Sequence, residues 1–140
     1  MYGVAEDTLF RIDRDNANVE LVGGIAVGSD RVVALAFDPS GRLFAATSGG
    51  VLLILDTQTA LALSLGDIGF GSGGDLAFSR DGTLYMSTTL NELVKINANQ
   101  LNSALTTDAE LIGPTGTNNN LFGLAFDNQD NLFGVAGNSL

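Results

Sequence analysis

Histidine and cysteine, the residue types that serve most often as general base, thiolate nucleophile or transition-metal ligand, are both absent from the sequence. The many serine and threonine hydroxyls therefore have no histidine that could act as their general base, and a Cys-His pair cannot form at all. A Ser–Lys pair would have to use Lys95, the one lysine of the chain, which falls in the middle of an expected strand and is expected to face solvent. We predict no catalytic residue and expect that the chain is not an enzyme.

Two kinds of segment could bind calcium or phosphate, the first through side-chain oxygen ligands and the second through a glycine-rich loop. The segments Asp13–Asn18 and Asp127–Asn131 are rich in carboxylates and amides, but neither has the central glycine and distal glutamate of a calcium loop. The run Gly69–Gly74 resembles a phosphate cradle only in its glycines, because no lysine follows it and Asp67 and Asp75 flank it. We predict turns and a flexible connector at these places, with no metal and no cofactor.

The charge of the chain excludes two classes of partner. Acidic residues outnumber basic ones 16 to 6, which gives a net charge of −10. Phosphate backbones and anionic membrane surfaces are repelled by such a charge, so no nucleic acid and no membrane partner is expected. The purely apolar run Val51–Leu55 has five residues, where a membrane span needs about 20. No signal peptide is expected at the start of this chain.

A repeat organises the whole sequence. The triplet Leu-Ala-Phe ends at Phe37, Phe78 and Phe126, with separations of 41 and 48 residues. Each copy is followed by a short polar turn and by a Leu-Phe or Leu-Tyr pair, which predicts a β-hairpin. The turns are expected to close on residues that tolerate a positive φ, namely Gly41, Gly82 and Asn131.

Two further strands complete each unit. The third strand ends at Asp13, Asp56 or Asn97, where an Asx turn is expected, and the fourth ends at Gly23, Gly66 or Gly113. Four antiparallel strands in about 40–45 residues are typical of a propeller blade. We therefore predict an all-β fold, a β-propeller segment of about three four-stranded antiparallel blades. The expected divisions are a partial blade at 1–23, blades at 32–66 and 75–113, and a partial blade at 121–140. An insertion at 99–108 is expected to form a helical turn or a longer loop.

The repeat unit resembles a known group of proteins. The segment Leu-Ala-Phe-Asp-Pro-Ser-Gly-Arg-Leu-Phe and the later Leu-Leu-Ile-Leu-Asp-Thr-Gln-Thr are similar to bacterial β-propellers of the YVTN, NHL and quinoprotein-like group, especially secreted cyanobacterial repeat proteins of unknown function. The resemblance covers nearly the whole chain and implies a secreted or periplasmic location. It implies no particular ligand, because one fold serves many functions.

Aromatic residues at equal places in the repeat are expected to be buried between blades. They are Phe37, Phe78 and Phe126 in the first strands, and Phe44, Tyr85 and Phe133 in the second strands.

The blade-to-blade loops are the predicted binding surface, because several such loops converge at one mouth of a propeller channel. The predicted ligand-binding residues are Asp30, Arg31, Asp75, Asn118, Asn119 and Asn120. The predicted function is a non-catalytic binding or scaffold module for a protein or a glycan. The alternatives are a divalent-cation-dependent hydrolase or lactonase-like propeller, for which only Asp75 offers an inner carboxylate, and a fragment of a longer propeller without independent activity.

The number of repeats bears on assembly. Second strands start at Tyr2, Phe44, Tyr85 and Phe133, so three periods separate the first from the last. Closed propellers have about four to eight blades. A homodimer that completes a six-bladed ring is therefore one expected assembly of this chain.

Overall fold

The computed structural model describes residues 1–97, 100–101, 109–117, 119 and 121–137. Within them the chain forms thirteen β-strands, paired antiparallel throughout, and no α-helix. The strands are β1 (Tyr2–Ala5), β2 (Thr8–Ile12), β3 (Val19–Gly24), β4 (Val32–Phe37), β5 (Leu43–Thr47), β6 (Val51–Leu55), β7 (Ala62–Asp67), β8 (Ser72–Phe78), β9 (Leu84–Thr88), β10 (Glu92–Ile96), β11 (Glu110–Pro114), β12 (Leu121–Phe126) and β13 (Leu132–Ala136).

The strands are grouped into four sheets, which we call blades 1 to 4. Blade 1 has the order β1-β2-β3, blade 2 the order β4-β5-β6-β7, blade 3 the order β8-β9-β10-β11, and blade 4 contains β12 and β13. Strand β8 contacts both β4 and β12, so the first strands of blades 2, 3 and 4 lie side by side. The predicted all-β propeller segment is confirmed, with two complete four-stranded blades between a three-stranded and a two-stranded sheet.

The insertion at 99–108 lies outside the described residues, except for Gln100 and Leu101. Leu101 is fully buried in the core between blades 2 and 3. Among the described residues no helix is long and apolar enough to span a membrane.

The hairpin turns between first and second strands follow one pattern. In blade 2, the amide of Asp38 donates to the carbonyl of Arg42, and the same bond recurs in blades 3 and 4. The residue just before the one whose carbonyl accepts this bond has a positive φ, which is 89° at Gly41 and 84° at Gly82. In blade 4 that residue is Asp130, with a φ of 67°, so the prediction of Asn131 was wrong by one place. Counted from Phe126, Asp130 occupies the position of the two glycines, and aspartate is among the residues that tolerate this conformation.

The Asx turns predicted at Asp13 and Asp56 form after the third strands of blades 1 and 2, whereas the turn predicted at Asn97 leads into residues 98–99, which lie outside the described residues. The carboxylate of Asp13 accepts a bond from the amide of Asp15 at 2.8 Å, and that of Asp56 accepts one from Gln58 at 2.8 Å. Each turn needs one later residue in the left-handed region, Ala17 or Ala60.

The core consists of layers between blades. One layer, between blades 1 and 2, contains Leu9, Leu43 and Leu53, and another, between blades 2 and 3, contains Phe44, Leu84 and Met86. Each blade supplies residues to both neighbours because side chains alternate between the two faces of a strand.

Aromatic contacts mark the same layers. A ring at the start of a second strand packs on the phenylalanine that ends the first strand of the next blade. The pairs are Tyr2 with Phe37 at 5.8 Å between centroids, Phe44 with Phe78 at 5.1 Å, and Tyr85 with Phe126 at 5.3 Å.

Burial of these aromatic residues is less uniform than predicted. Phe44 is fully buried, but Phe37 is 45% exposed and Phe133 is 59% exposed. The prediction of burial was wrong for these two. Among the described residues no blade follows blade 4 to cover Phe133, and Phe37 packs on Tyr2 of blade 1, which has three strands.

One cross-strand position on the rim is charged in two blades and apolar in the third. The facing residues are Arg11 and Glu20 in blade 1, Ile54 and Leu63 in blade 2, and Lys95 and Glu110 in blade 3. The charged side chains form ion pairs of 2.5 Å in blade 1 and 3.2 Å in blade 3.

Candidate functional site

Three of the predicted site residues that the structure describes, Asp30, Arg31 and Asn119, lie just before a first strand, and a fourth, Asp75, lies within one. Asp30 precedes β4, and its carboxylate accepts a hydrogen bond from the Thr47 hydroxyl at 3.0 Å. The same carboxylate fills the space that a β-carbon on Gly49 would need, so this side chain is turned toward its own blade. Arg31 is exposed next to it.

Asp75 lies within the inner strand β8 and joins two blades. Its carboxylate accepts one hydrogen bond from the amide of Leu76 at 2.9 Å and another from the amide of Leu124 in β12. Burial raises the pKa of Asp75 above its usual range, against the opposing effect of these two hydrogen bonds. In the repeat, the same position holds Ala34 in blade 2 and Gly123 in blade 4, so this carboxylate is a departure from the pattern.

Asn119 is hydrogen-bonded to Gly137, the residue that follows the last strand. Its side-chain amide donates to the carbonyl of Gly137 at 2.7 Å, and its own carbonyl accepts a bond from the Thr117 hydroxyl at 2.7 Å. Asn118 and Asn120 lie outside the described residues. The described members of the predicted site are thus held by different neighbours, each within its own blade or across one blade boundary.

A depression of about 310 Å³ lies at the opposite end of the inner strands, where three equivalent hairpin turns meet. We call it the turn-face depression. Its lining is Phe37, Asp38, Pro39, Phe78, Ser79, Arg80, Phe126, Asp127 and Asp130. Sequence reasoning missed this surface, although its signal was present as the repeated phenylalanine followed by a polar turn.

The carboxylates at the turns are engaged by their own hairpins. Asp38 is buried, which by itself raises its pKa, but bonds from the Arg42 amide, the Ser40 hydroxyl and the Arg42 guanidinium outweigh burial and lower the pKa of Asp38. The Asn131 side chain and amide, at 2.9 and 2.8 Å, lower the pKa of Asp127. These ionised groups satisfy backbone and side-chain donors of the turns.

One residue position distinguishes the three turns. Arg80 donates its amide to the Asp130 carboxylate at 2.9 Å and its guanidinium to the Asn128 carbonyl, which ties the turns of blades 3 and 4 together. The equivalent of Arg80 in blade 2 is Pro39, which has no amide hydrogen to donate. The depression therefore has an apolar side at Phe37 and Pro39 and a charged side at Arg80, Asp127 and Asp130.

Among the described residues, no group of three acidic side chains lies close enough to hold a metal ion.

The structural comparisons agree with the architecture. Neither a protein-family model nor a curated protein sequence matches the chain. Virginiamycin B lyase from Staphylococcus aureus is similar in structure, with a TM-score of 0.65 and 10% identity over 94% of this chain and 42% of that one. The crystal structure of a nidogen/laminin complex contains a chain similar at a TM-score of 0.69 and 14% identity, over 92% of this chain and 49% of that one. A gluconolactonase from Xanthomonas campestris is similar at a TM-score of 0.62 and 17% identity, over 96% of this chain and 43% of that one.

These likenesses define the class of fold. The chain is a β-propeller segment, and its solved neighbours are β-propeller proteins. It spans less than half the length of the solved chains that it matches.

Proposed function

We propose that this chain is a non-catalytic binding module whose partner is a protein that docks on the turn-face depression. One observation carries the proposal: three equivalent turns meet around apolar side chains, while the nearby carboxylates Asp38 and Asp127 are already bonded within their turns. Such a surface offers contact area and orientation rather than a reactive group.

The chemistry of the depression favours a protein over a glycan. Phe37 and Pro39 give an apolar floor, and Arg80 supplies a cation in a chain whose net charge is −10. Aromatic and arginine side chains are the ones most enriched at protein interfaces. A partner segment with an apolar side chain next to a carboxylate complements this arrangement.

A displayed random-peptide library and a glycan array, each probed with the purified chain, test the proposal. We expect peptides with an apolar residue next to an acidic one to be selected. Their affinity should fall about tenfold on Arg80→Ala, a typical loss for a central interface arginine. The control is Arg14→Ala, since Arg14 is exposed on a turn of blade 1. Binding that is indifferent to Arg80, or selection of glycans alone, would contradict the proposal.

A divalent-cation-dependent hydrolase of the lactonase kind is the second candidate, favoured by the half-buried carboxylate of Asp75 on an inner strand. Ligand binding to the native state raises the melting temperature. This candidate predicts a rise of several degrees with calcium that Asp75→Ala abolishes, together with lactone hydrolysis. A melting curve unchanged by calcium would remove it.

A third candidate is a piece of a longer propeller without independent activity, which the coverage of less than half of each solved neighbour favours. The same coverage of less than half of each neighbour supports a proposal about assembly.

Two copies of this chain together have about the length of one such neighbour, and we propose that the two copies close into one six-bladed ring. Light scattering coupled to size exclusion should then give twice 14.5 kDa.

A further inference from the structure

The two incomplete blades overlap in only one strand. Blade 1 contains the second, third and fourth strands of the repeat, and blade 4 contains the first and second. If the two are combined into one blade, β1 and β13 compete for the same place. Their sequences, Tyr2-Gly-Val-Ala5 and Phe133-Gly-Val-Ala136, differ only in the first residue. Strand β13 therefore carries the side chains that the place of β1 requires.

The face of blade 4 that points away from blade 3 is not covered by the described residues, whereas the corresponding face of blade 1 is covered by blade 2. Phe133 is 59% exposed and Val135 is 68% exposed. Their counterparts in blade 1, Tyr2 and Val4, pack against the buried cluster of blade 2. In the place of β1, Phe133 and Val135 would be buried against that same cluster, with Phe133 on Phe37.

A cleft lies between blade 3 and the face of blade 4 that points toward it. This cleft has a volume of about 390 Å³ and is lined by Leu93 and Ile112 of blade 3 and by Leu132 of blade 4, among others. In a complete blade, third and fourth strands would cover it. Blade 1 has such strands, and the face that it turns away from blade 2 is apolar. Its residues are Phe10, Ile12, Val19 and Leu21, the last two exposed.

The turn that follows β1 has an unfavourable backbone conformation. Strand β1 has four residues, and its turn places two successive non-glycine residues, Glu6 and Asp7, at φ values of 47° and 57°. Such residues pay a conformational cost in the left-handed region. Asp7 itself is anchored, because its carbonyl accepts the Ile25 amide at 2.7 Å and its carboxylate accepts the Val32 amide at 2.8 Å. The residues before Asp7 can leave while this anchor stays.

We infer that two copies of this chain close the ring by exchanging strands: the β12–β13 hairpin of each copy completes blade 1 of the other, and Met1–Ala5 leaves its place. The inference rests on the six-bladed homodimer proposed above and specifies the composite blade through which the two copies are connected, which we call the joint. The two joints are identical, which makes the assembly a closed two-fold dimer. Each joint buries apolar side chains on both faces of one composite blade, where association of exposed apolar surface is favourable.

Engineered disulfides test the joint, since the chain has no cysteine of its own. Ala5 faces Thr8 across the β1–β2 pair, and in the exchanged blade Ala136 of the other copy takes the position of Ala5. Ala136→Cys with Thr8→Cys should therefore give a covalent dimer on a non-reducing gel. The matched control, Ala5→Cys with Thr8→Cys, should give none.

The outcomes separate the proposals. A dimer by light scattering in which only the control pair forms a disulfide, within one chain, would keep the six-bladed ring and overturn the strand exchange. A monomer would overturn both. Neither result decides whether the turn-face depression binds a protein, because that proposal is tested separately by peptide binding.

A charge substitution gives a second measurement. Val135→Asp places a carboxylate where the isolated chain is exposed and the composite blade is buried, so it should yield a monomer with an unchanged circular dichroism spectrum. Leu61→Asp, at a similarly exposed residue in the β6–β7 turn, should leave the dimer intact. A Val135→Asp protein that remains dimeric would overturn the inference.

Discussion

At the scale of single residues, Asp75 is the side chain that departs most from the repeat. A carboxylate stands where the other blades have Ala34 and Gly123, and it accepts amides from two adjacent inner strands. Burial nevertheless raises its pKa. The native state therefore holds a proton on Asp75 at pH values where the unfolded chain has lost it.

The pH dependence of stability follows from this shift. A raised carboxyl pKa means that the contribution of Asp75 to the unfolding free energy decreases as pH rises through the interval between its ordinary and its folded pKa. We expect the difference in unfolding free energy between the parent and Asp75→Ala, from urea titrations at several pH values, to shrink as pH rises from about 4 and then to level off.

Asp56 provides a control of opposite sign. Bonds from the Gln58 amide and the Thr59 hydroxyl lower the pKa of Asp56, so its contribution is present above its ordinary pKa and is lost as pH falls. The same difference for Asp56→Ala should therefore grow as pH rises. Equal slopes for the two variants would contradict the assignment.

Phe44 tests the core between blades 2 and 3. Its ring is fully buried and packs on Phe78, so Phe44→Ala should lower the unfolding free energy by about 3–5 kcal/mol. Leu61→Ala, at an exposed position, should change it by less than about 0.5 kcal/mol. Similar denaturant midpoints for the two variants would disprove the packing of this layer.

At the scale of elements, the hairpin turns depend on backbone conformation more than on side-chain contacts. Gly41 has a φ of 89°, and a β-carbon there would meet no atom within 4 Å. The cost of Gly41→Ala is therefore conformational, about 1–2 kcal/mol. Gly24 also has open space around it and does not have a positive φ, so Gly24→Ala should be nearly neutral in the same urea titration. A neutral Gly41→Ala would contradict the turn geometry.

Most of the elements could be predicted because the repeat states the strand pattern several times. The placement of Asp130 could not be read as easily, since blade 4 has no glycine at that turn and two polar residues compete for the position. The exposure of Phe37 and Phe133 could not be predicted from the repeat either. Burial of Phe133 depends on whether a following blade is present. Phe37 stays partly exposed although Tyr2 of blade 1 packs on it, so the position in the repeat does not fix the exposed fraction of a side chain.

At the scale of the whole molecule, the candidate site was only partly accessible to sequence reasoning. The convergence of blade-to-blade loops in a propeller predicted a site in the loops that precede the inner strands. The structure shows that Asp30 and Asn119 there bond to neighbouring residues, and it places the depression at the opposite end. Which polar groups are already bonded depends on contacts between distant residues, such as Arg80 with Asp130, that no local pattern states.

Net charge gives a prediction about assembly. Each copy carries −10, so two copies repel one another, while the faces that meet in the composite blade are apolar. Salt screens the repulsion, with a Debye length that falls from about 30 Å at 0.01 M to about 10 Å at 0.1 M. Sedimentation equilibrium should show a dimer that tightens as salt rises over this range. A dimer that weakens with salt would indicate a joint held by charge.

The rim position that is charged in blades 1 and 3 and apolar in blade 2 has a consequence for descent. If the blades arose by duplication, a change at only one of two facing residues leaves a charge opposite an aliphatic side chain, which is unfavourable because facing residues stabilise a sheet as a pair. Ile54 and Leu63 must then have entered the lineage together or through a brief, poorly matched ancestor. Relatives of this chain should carry both aliphatic residues or both charges at this position, and mixed pairs should be rare.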